Sequence, residues 1–261
     1  MLVVRAAACA IPAMVARSDA ADAIERALHT AFADLRHGDD ISATERARLH
    51  TQVGAAWVHG EVTPRGTLAL LHALGVHETV ETPRAEEVLI DLGSGTGALV
   101  LAAALLRPKL RAVGVELSAE RHASACEARS RLAREGGALA DAAARVTLIH
   151  GDARANGEGA ADARIRRECA SATVAFVSNL LMEPRLTREI VGNLASERTS
   201  PNLRAVALLT PLDNALDDDD DAAFEEAGLL GLESRGRFAL ETDFDAAQDA
   251  FLYVRRRRGK A

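Results

Sequence analysis

The chain has 261 residues and a formal net charge of -7, from 31 basic and 38 acidic residues, which excludes a globally basic nucleic-acid-binding protein. Hydrophobic residues make up 48% of the chain, enough for a large packed core and too many for a mostly disordered protein. Its three widely spaced cysteines favour an intracellular protein, nuclear or cytoplasmic, with neither a disulfide framework nor a metal site. No stretch reaches the roughly 18 apolar residues of a membrane span.

Three helices are predicted in the first part of the chain. Residues 1–17 contain arginine but no acid; because the positive residues do not precede the apolar run as in a secretory signal, we favour an ordinary N-terminal segment over a targeting peptide. Residues 18–38 have the spacing of an amphipathic helix. Ser42 and Glu45 form a capping box, in which each side chain is expected to satisfy the other's backbone amide. A third helix is predicted over residues 63–75, beginning with Thr-Pro and ending at glycine.

After residue 83 the sequence alternates between strands and helices. Apolar runs predict five buried strands, and two further strand candidates near the C-terminus are separated by a short acidic turn, as in a hairpin. The alternation predicts an α/β fold with a parallel sheet and helices on both faces, and the final hairpin predicts an antiparallel edge. The Ala/Gly-rich segments 136–144 and 151–172 are predicted to be mobile loops.

A glycine-rich turn, in the stretch VLIDLGSGTGALV at residues 88–100, follows the first strand. Its G-x-G-x-G spacing does not fit the G-x-G-x-x-G of dinucleotide sites, and it lacks the lysine of a P-loop. Asp91 precedes the glycines, and its carboxylate would repel a pyrophosphate but pair with an ammonium group. S-adenosylmethionine carries such a group and is the predicted ligand. The turn residues expected to contact it are Gly93, Ser94, Gly95, Thr96 and Gly97.

Two more acids follow the next two strands. Glu116 ends the second strand, where a carboxylate can accept hydrogen bonds from both ribose hydroxyls of a nucleoside. Asp152 follows the third strand, where it can accept a hydrogen bond from the adenine amino group. A single acid at a strand end is more often a turn former or helix cap. Three acids at the ends of three successive strands, together with the glycines, favour a ligand site.

This set of residues resembles the Rossmann-like S-adenosylmethionine-dependent methyltransferases over roughly residues 59–256. The resemblance implies a Rossmann-like, mostly parallel sheet of seven strands with an antiparallel edge strand, preceded by N-terminal helices. It also implies S-adenosylmethionine as the cofactor. We therefore expect a helical extension over residues 1–58 and a methyltransferase domain over residues 59–261.

Two further stretches, WVHGEVT at 57–63 and AFVSNLLMEP at 175–184, resemble the Dot-one (disruptor of telomeric silencing) family of histone-lysine methyltransferases. In that family a Tyr-Gly-Glu-Thr segment closes over the cofactor, and the fourth strand ends in Phe-Val-Asn-Asn-Phe. The matching residues here are His59, Gly60 and Glu61 for the first motif, with His in place of Tyr, and Phe176, Val177, Ser178 and Asn179 for the second, with Ser in place of the first Asn.

The resemblance implies that Glu61 and Asn179 contact the cofactor and that Asn179 or Ser178 orients the nucleophile by hydrogen bonding. Other interpretations remain open, because Glu61 can also cap the helix that follows it and Asn179 can be a turn residue. The family lines its lysine channel with aromatics, whereas Leu180, Leu181 and Met182 stand here. An aliphatic channel would offer no cation–π contact to an amine.

The expected reaction is transfer of the methyl group of S-adenosylmethionine to a protein lysine, on a histone in the family that the chain resembles. The alternatives are methylation of another protein or of a small molecule, or a catalytically silent cofactor-binding module. A histone or nucleosome is the expected partner, and no membrane partner is expected. The acidic run at 217–221 and the basic run at 255–258 are predicted to be solvated, although the basic tail is also a candidate contact for an anionic surface.

Overall fold

A computed structural model of the protein describes residues 19–35, 40–53, 60–76, 86–180, 182–212 and 231–256. The predictions for the N-terminal segment 1–17, for His59, for Leu181, for the acidic run at 217–221 and for the end of the basic tail lie outside these residues. Within them, no helix has both the length and the apolar character that crossing a membrane requires.

The described residues form eight helices and seven strands in the predicted alternating order. The helices are α1 Asp19–Phe32, α2 Ala43–Val53, α3 Pro64–Ala73, α4 Ala98–Leu106, α5 Ala119–Glu135, α6 Gly137–Ala144, α7 Ala160–Ser171 and α8 Pro184–Ala195. The strands are β1 Glu87–Leu92, β2 Leu110–Glu116, β3 Val146–His150, β4 Val174–Val177, β5 Ala205–Leu208, β6 Leu232–Leu240 and β7 Gln248–Arg255.

All seven strands belong to one sheet in the order β3-β2-β1-β4-β5-β7-β6. The first five positions are parallel, whereas β7 runs antiparallel to both β5 and β6. This confirms the predicted Rossmann-like sheet with its antiparallel edge, and it places the reversed strand one position in from that edge. The chain leaves β1 in one direction for β2 and β3 and returns on its other side with β4. Such a switch point opens a crevice beyond the carboxyl ends of β1 and β4.

Alternate residues of the central strands face two separate hydrophobic layers. On β1, Leu89 faces the layer that contains α3, α4 and α5, and Ile90 faces the layer that contains α7 and α8. Asp91 therefore shares its sheet face with Leu89 and points towards the start of α4. The N-terminal helices are part of the same packing, because Leu28 and Ala31 of α1 are buried in the first layer.

Two segments predicted to be mobile loops are helical instead. Segment 136–144 contains α6, and segment 151–172 contains α7. Alanine has the highest intrinsic helix propensity, so alanine-rich stretches form helices once an apolar face can be buried. Ala142 and Ala143 of α6 and Ile165 of α7 provide those buried faces. The two loop predictions were wrong because they gave the composition more weight than this propensity.

The basic run at 255–258 was predicted to be solvated, but its first residue is not. Arg255 is the last residue of β7, and its guanidinium donates hydrogen bonds to the carbonyl oxygens of Leu194 and Ala195, at 3.1 and 3.0 Å, and of Ser200, at 2.8 Å. These carbonyls lie at and just beyond the end of α8, where helix carbonyls lack partners within the helix. Arg255 therefore stabilises the fold and is not available to an anionic partner.

Candidate active site

The glycine turn between β1 and α4 has a backbone that only glycine adopts readily. Gly93, Gly95 and Gly97 have φ angles of 92°, 56° and 84°, all in the left-handed region. The amides of Gly93 and Ser94 both donate to the carbonyl oxygen of Val115 at 2.9 Å, which ties the turn to β2. Gly97 is the N-cap of α4. The turn therefore presents backbone, rather than side chains, to the crevice above it.

Asp91 is a buried carboxyl group beneath this turn. The residue is 3% exposed, and its Oδ1 has no hydrogen-bond partner among the described residues. Burial, and next the negative charge of Glu116, raise the pKa of Asp91 to about 8. A buried polar atom without a partner is costly, so its presence in a crevice indicates a missing ligand group. A cation placed against Asp91 would remove that cost.

Glu116 holds the glycine turn in place at the end of β2. Its Oε2 accepts the amide of Gly95 at 2.8 Å and its Oε1 accepts the amide of Ser118 at 2.7 Å. Each carboxylate oxygen has a second lone pair, so these bonds leave acceptor capacity for hydroxyl donors. Glu116 is thus oriented by two backbone amides before any ligand binds.

Residues 60–63 form a strap that pairs with the turn between β6 and β7. Val62 forms an antiparallel bridge with Thr242, and the amide of Glu61 donates to Asp243 Oδ1 at 2.9 Å. On the other side of the strap, the Thr96 hydroxyl donates to Glu61 Oε1. The predicted Glu61 therefore connects the strap to the glycine turn. The alternative, a capping role for Glu61, is not observed, because Thr63 caps α3 by accepting the amide of Gly66.

A narrow cleft of about 20 Å³, room for about one water molecule, lies between the strap, the glycine turn and the end of β4. The predicted residues Glu61, Asp91, Gly93, Ser94 and Ser178 line it. The other lining residues are Gly60, Val62, Ala98, Leu99, Phe176, Leu209, Thr242 and Phe244. Polar groups of the cleft thus face walls that are largely apolar.

Ser178 and Asn179, adjacent in sequence, have different surroundings. Ser178 lines the cleft, whereas Asn179 is 1% exposed. The Asn179 side-chain oxygen accepts the amides of Leu209 and Thr210 at 2.8 and 2.9 Å, and its Nδ2 donates to the Thr210 hydroxyl at 2.5 Å and to the Thr210 carbonyl at 3.3 Å. Asn179 therefore fastens the end of β4 to the end of β5, and Ser178 is the member of the pair that faces the cleft.

Asp152 lies beyond the end of β3, as predicted, but its carboxylate is already paired. Arg154 Nη2 lies 2.5 Å from Asp152 Oδ2, and the Arg154 amide donates to Oδ1 at 2.9 Å. These bonds hold the pKa of Asp152 below its usual value despite burial, which acts in the opposite direction. The structure thus joins Glu116 to the glycine turn above Asp91, whereas neither Glu116 nor Asp152 lines the cleft described above.

Phe244 and Thr242 are lining residues that the sequence analysis missed. Phe244 is 52% exposed, and a methyl group added at Gly60 would clash with its ring, so the ring rests directly on the strap. One available signal was a phenylalanine inside the acidic turn ETDFD, in a chain with only 3% aromatic residues. The aliphatic channel expected from Leu180, Leu181 and Met182 stays a prediction. Aromatic rings reach the cleft from β4 and from the β6–β7 turn, while the Met182 methyl lies 3.4 Å from where a Cβ of Gly93 would be.

These residues fit S-adenosylmethionine. The unpartnered oxygen of Asp91 suits its ammonium group, and Gly93 lines the cleft without a side chain of its own. Glu116 retains lone pairs for ribose hydroxyls.

Comparison with known proteins relates the chain to methylation enzymes. A family model described as "Histone methylation protein DOT1" matches residues 26–224. No curated protein matches the sequence.

Several solved structures are similar to the chain. TrmN from Thermus thermophilus has a TM-score of 0.49 and 19% identity over 75% of this chain and 49% of its own, so the chain spans about half of that protein. Magnesium protoporphyrin IX methyltransferase (ChlM) from Synechocystis PCC 6803, with bound SAH, has a TM-score of 0.46 and 14% identity over 91% of this chain and 100% of its own. A putative RNA methyltransferase from Pyrococcus horikoshii has a TM-score of 0.45 and 15% identity over 89% of this chain and 98% of its own.

Proposed function

Because the chain belongs to the DOT1 family of histone methylation proteins and is an S-adenosylmethionine-dependent methyltransferase, we propose that its acceptor is the side-chain amine of a protein lysine. Histones are the first candidate substrates. When bound, the cofactor supplies a methyl group activated by the positive charge of its sulfonium. The protein's part is then to hold the two reactants in line, since positioning alone accounts for much of the rate in such displacements.

The proposal assigns three acids to the cofactor. Asp91 pairs with its ammonium group, Glu116 accepts its ribose hydroxyls and Asp152 accepts the adenine amino group. The turn 93–97 lies against it, and the strap closes over it through Glu61. The support is strongest for Asp91, whose buried oxygen has no other partner among the described residues. It is weakest for Asp152, which would have to share its carboxylate with Arg154.

The observation that carries the lysine assignment is Phe244. Its exposed ring lines the same cleft as Asp91 and can attract an incoming ammonium group through a cation–π contact. Deeper in the cleft, Leu99, Phe176 and Leu209 form apolar walls. Desolvation there lowers the pKa of an amine, which favours the neutral form needed as nucleophile. The lost proton can pass to water, so no strong base in the cleft is required.

Ser178 and Asn179 have different roles in this proposal. The Ser178 hydroxyl faces the cleft and can accept a hydrogen bond from the amine, which orients its lone pair towards the methyl group. Asn179 acts through Ser178, because its four hydrogen bonds to Leu209 and Thr210, just after β5, fix the end of β4. Asn179 is therefore a positioning residue in this proposal rather than one that contacts the reactants.

A methyl-transfer assay tests the proposed function. Purified protein and labelled S-adenosylmethionine are incubated with nucleosomes, free histones and lysate proteins, and the methylated residues are identified by mass spectrometry. We expect label on lysine. Label confined to a non-histone protein or to small molecules would support the corresponding alternative acceptor. Cofactor binding without transfer to any substrate would support the silent module.

Replacing Phe244 by leucine is expected to lower kcat/KM for a lysine substrate by about tenfold, because an aliphatic side chain keeps the apolar contact but loses the ring face. Phe244→Tyr is the matched control and is expected to retain activity. Cofactor affinity, measured by calorimetry, should be unchanged in both variants. A leucine variant as active as the wild-type protein would show that the ring does not contact the amine.

Removing residues 257–261, while Arg255 and Arg256 are kept, tests the basic tail as a contact for nucleosomal DNA. We expect weaker nucleosome binding and a shallower dependence of that binding on salt, because each lost phosphate contact lowers the number of released counterions. Activity on free histones should not change. Equal loss on nucleosomes and free histones would point to damage at the β7 end and would contradict a role in DNA binding.

A further inference from the structure

Helices α2 and α5 cap each other, because a glutamate of each accepts a backbone amide at the start of the other. The predicted capping box is only half formed, because the Ser42 hydroxyl accepts the amide of Glu45 at 3.2 Å but the Glu45 side chain points elsewhere. Glu45 Oε1 accepts the amide of Ala119, the first residue of α5, at 2.7 Å. In return, Glu120 of α5 accepts the amide of Ser42 at 2.9 Å and its hydroxyl proton. Each helix thus satisfies an orphan amide at the start of the other.

Arg48 extends this contact to the segment between β2 and α5. Its guanidinium forms two bonds of 2.8 Å to the carboxylate of Glu45 and a third, also of 2.8 Å, to the carbonyl oxygen of Leu117. The same carbonyl is contacted by His150 Nε2 at 3.1 Å. Bidentate arginine–carboxylate pairs have a fixed geometry, so α2 holds Leu117 and Ala119 in a defined relation.

These contacts flank Glu116, the acid assigned to the ribose. Its carboxylate takes its orientation from the amides of Gly95 and Ser118, and Ser118 lies between the two residues that α2 holds. A shift of the backbone at Leu117 or Ala119 therefore moves the Ser118 amide and rotates the Glu116 carboxylate. Helix α2 is thereby connected to Glu116 through the backbone of residues 117–119, and Glu116 in turn bonds to the glycine turn.

We propose that Glu45 and Arg48 of α2 are positioning residues for the Glu116 carboxylate, so that affinity for the ribose of the cofactor depends on their hydrogen bonds to Leu117 and Ala119. This inference rests on the proposed role of Glu116 in ribose binding. The contacts of Glu45 and Arg48 favour the charged form of Glu45. Glu45 is 7% exposed, and hydrogen bonds from Arg48, and then from Ser118 and Ala119, lower its pKa to about 2 against the opposing effect of burial.

The test compares two ligands by calorimetry, S-adenosylhomocysteine and its 2′-deoxy analogue, which lacks one ribose hydroxyl. Glu45→Gln and Arg48→Met are each expected to weaken S-adenosylhomocysteine about fivefold, in keeping with charged groups at helix N-termini, and to weaken the analogue about twofold or less. Arg48 is partly exposed, so its variant keeps the test available if Glu45→Gln fails to fold. Unchanged affinity for S-adenosylhomocysteine, or equal losses for both ligands, would overturn the proposal.

Two further variants locate the cause. Glu120→Gln removes the other half of the exchange and leaves the contacts of Glu45 and Arg48 in place; it should lower the melting temperature but keep S-adenosylhomocysteine affinity within about twofold. A loss equal to that of Glu45→Gln would overturn the assignment to these two residues. Glu116→Gln should itself abolish the preference for S-adenosylhomocysteine over the analogue. If Glu116→Gln still prefers S-adenosylhomocysteine over the analogue, Glu116 does not bind the ribose. If Glu116→Gln loses this preference but Glu45→Gln and Arg48→Met keep it in full, Glu116 binds the ribose and the positioning role of Glu45 and Arg48 is wrong.

Discussion

Asp91→Asn is expected to weaken S-adenosylmethionine binding by about 100-fold or more, because it removes one partner of a buried charge pair and leaves the ammonium of the ligand unpaired. The variant is nearly isosteric, so the cleft keeps its shape. Calorimetry at constant pH measures the loss. The matched control is Glu87→Gln on the same strand, whose carboxylate pairs with Arg204 at 3.0 Å and faces away from the cleft end. That control should bind the cofactor like the wild-type protein.

The same substitution has a predictable effect on stability without ligand. The pKa of Asp91 is raised from its usual 3.8 to about 8, so between those values the folded state binds more protons than the unfolded state. The free energy of unfolding of the wild-type protein should therefore fall as pH rises through this range, and Asp91→Asn should lack that part of the decline. Denaturant titrations at several pH values measure it. A variant with wild-type affinity and a wild-type pH profile would show that Asp91 is not the cation partner.

Gly66→Ala is expected to destabilise the protein by about 1–3 kcal/mol and to weaken cofactor binding about tenfold, since overpacking at a rigid site displaces backbone. A methyl group at Gly66 would clash with the carbonyl oxygen of Glu241, and a main-chain atom cannot move aside by changing rotamer. The same Glu241 oxygen accepts the amide of Thr63 at 3.1 Å. The strap and the β6–β7 turn would therefore separate, and Glu61 and Phe244 would both lose their support.

Gly231→Ala is the control for that prediction. A Cβ there would lie 3.8 Å from the carbonyl oxygen of Ala195, an ordinary contact, and Gly231 is not among the glycines with positive φ in the described residues. Unfolding and calorimetry on the two alanine variants should separate them clearly. If Gly66→Ala behaves like Gly231→Ala, the strap does not depend on its contact with the turn.

Local patterns in the sequence were enough to predict much of the fold. The start of α3 followed from Thr63 and Pro64, and the sheet followed from apolar runs that alternate with helices. The acids at the ends of β1 and β2 could be grouped because parallel strands place their carboxyl ends at one edge. For these features, neighbouring residues or a general rule of topology supply the physical cause.

Features that depend on distant contacts could not be predicted in this way. Glu45 fits a local capping box, yet its carboxylate accepts a hydrogen bond from the amide of Ala119, 74 positions away. Asn179 matches a motif residue, but its amide group bonds to Leu209 and Thr210, just after β5, instead of facing the cleft. Phe244 reaches the site only because Gly60 allows its ring to approach the strap. In each case the sequence named a suitable side chain, and tertiary packing decided its partner.

The most direct test of the account counts the protons released when S-adenosylmethionine binds at pH 7, by calorimetry in buffers of different ionisation enthalpy. Because burial raises the pKa of Asp91 to about 8, the free protein holds a proton there that must leave before the carboxylate can pair with an ammonium. We predict release of about one proton per cofactor by the wild-type protein and about none by Asp91→Asn. Binding by the wild-type protein without proton release, or equal release by the variant, would contradict the account.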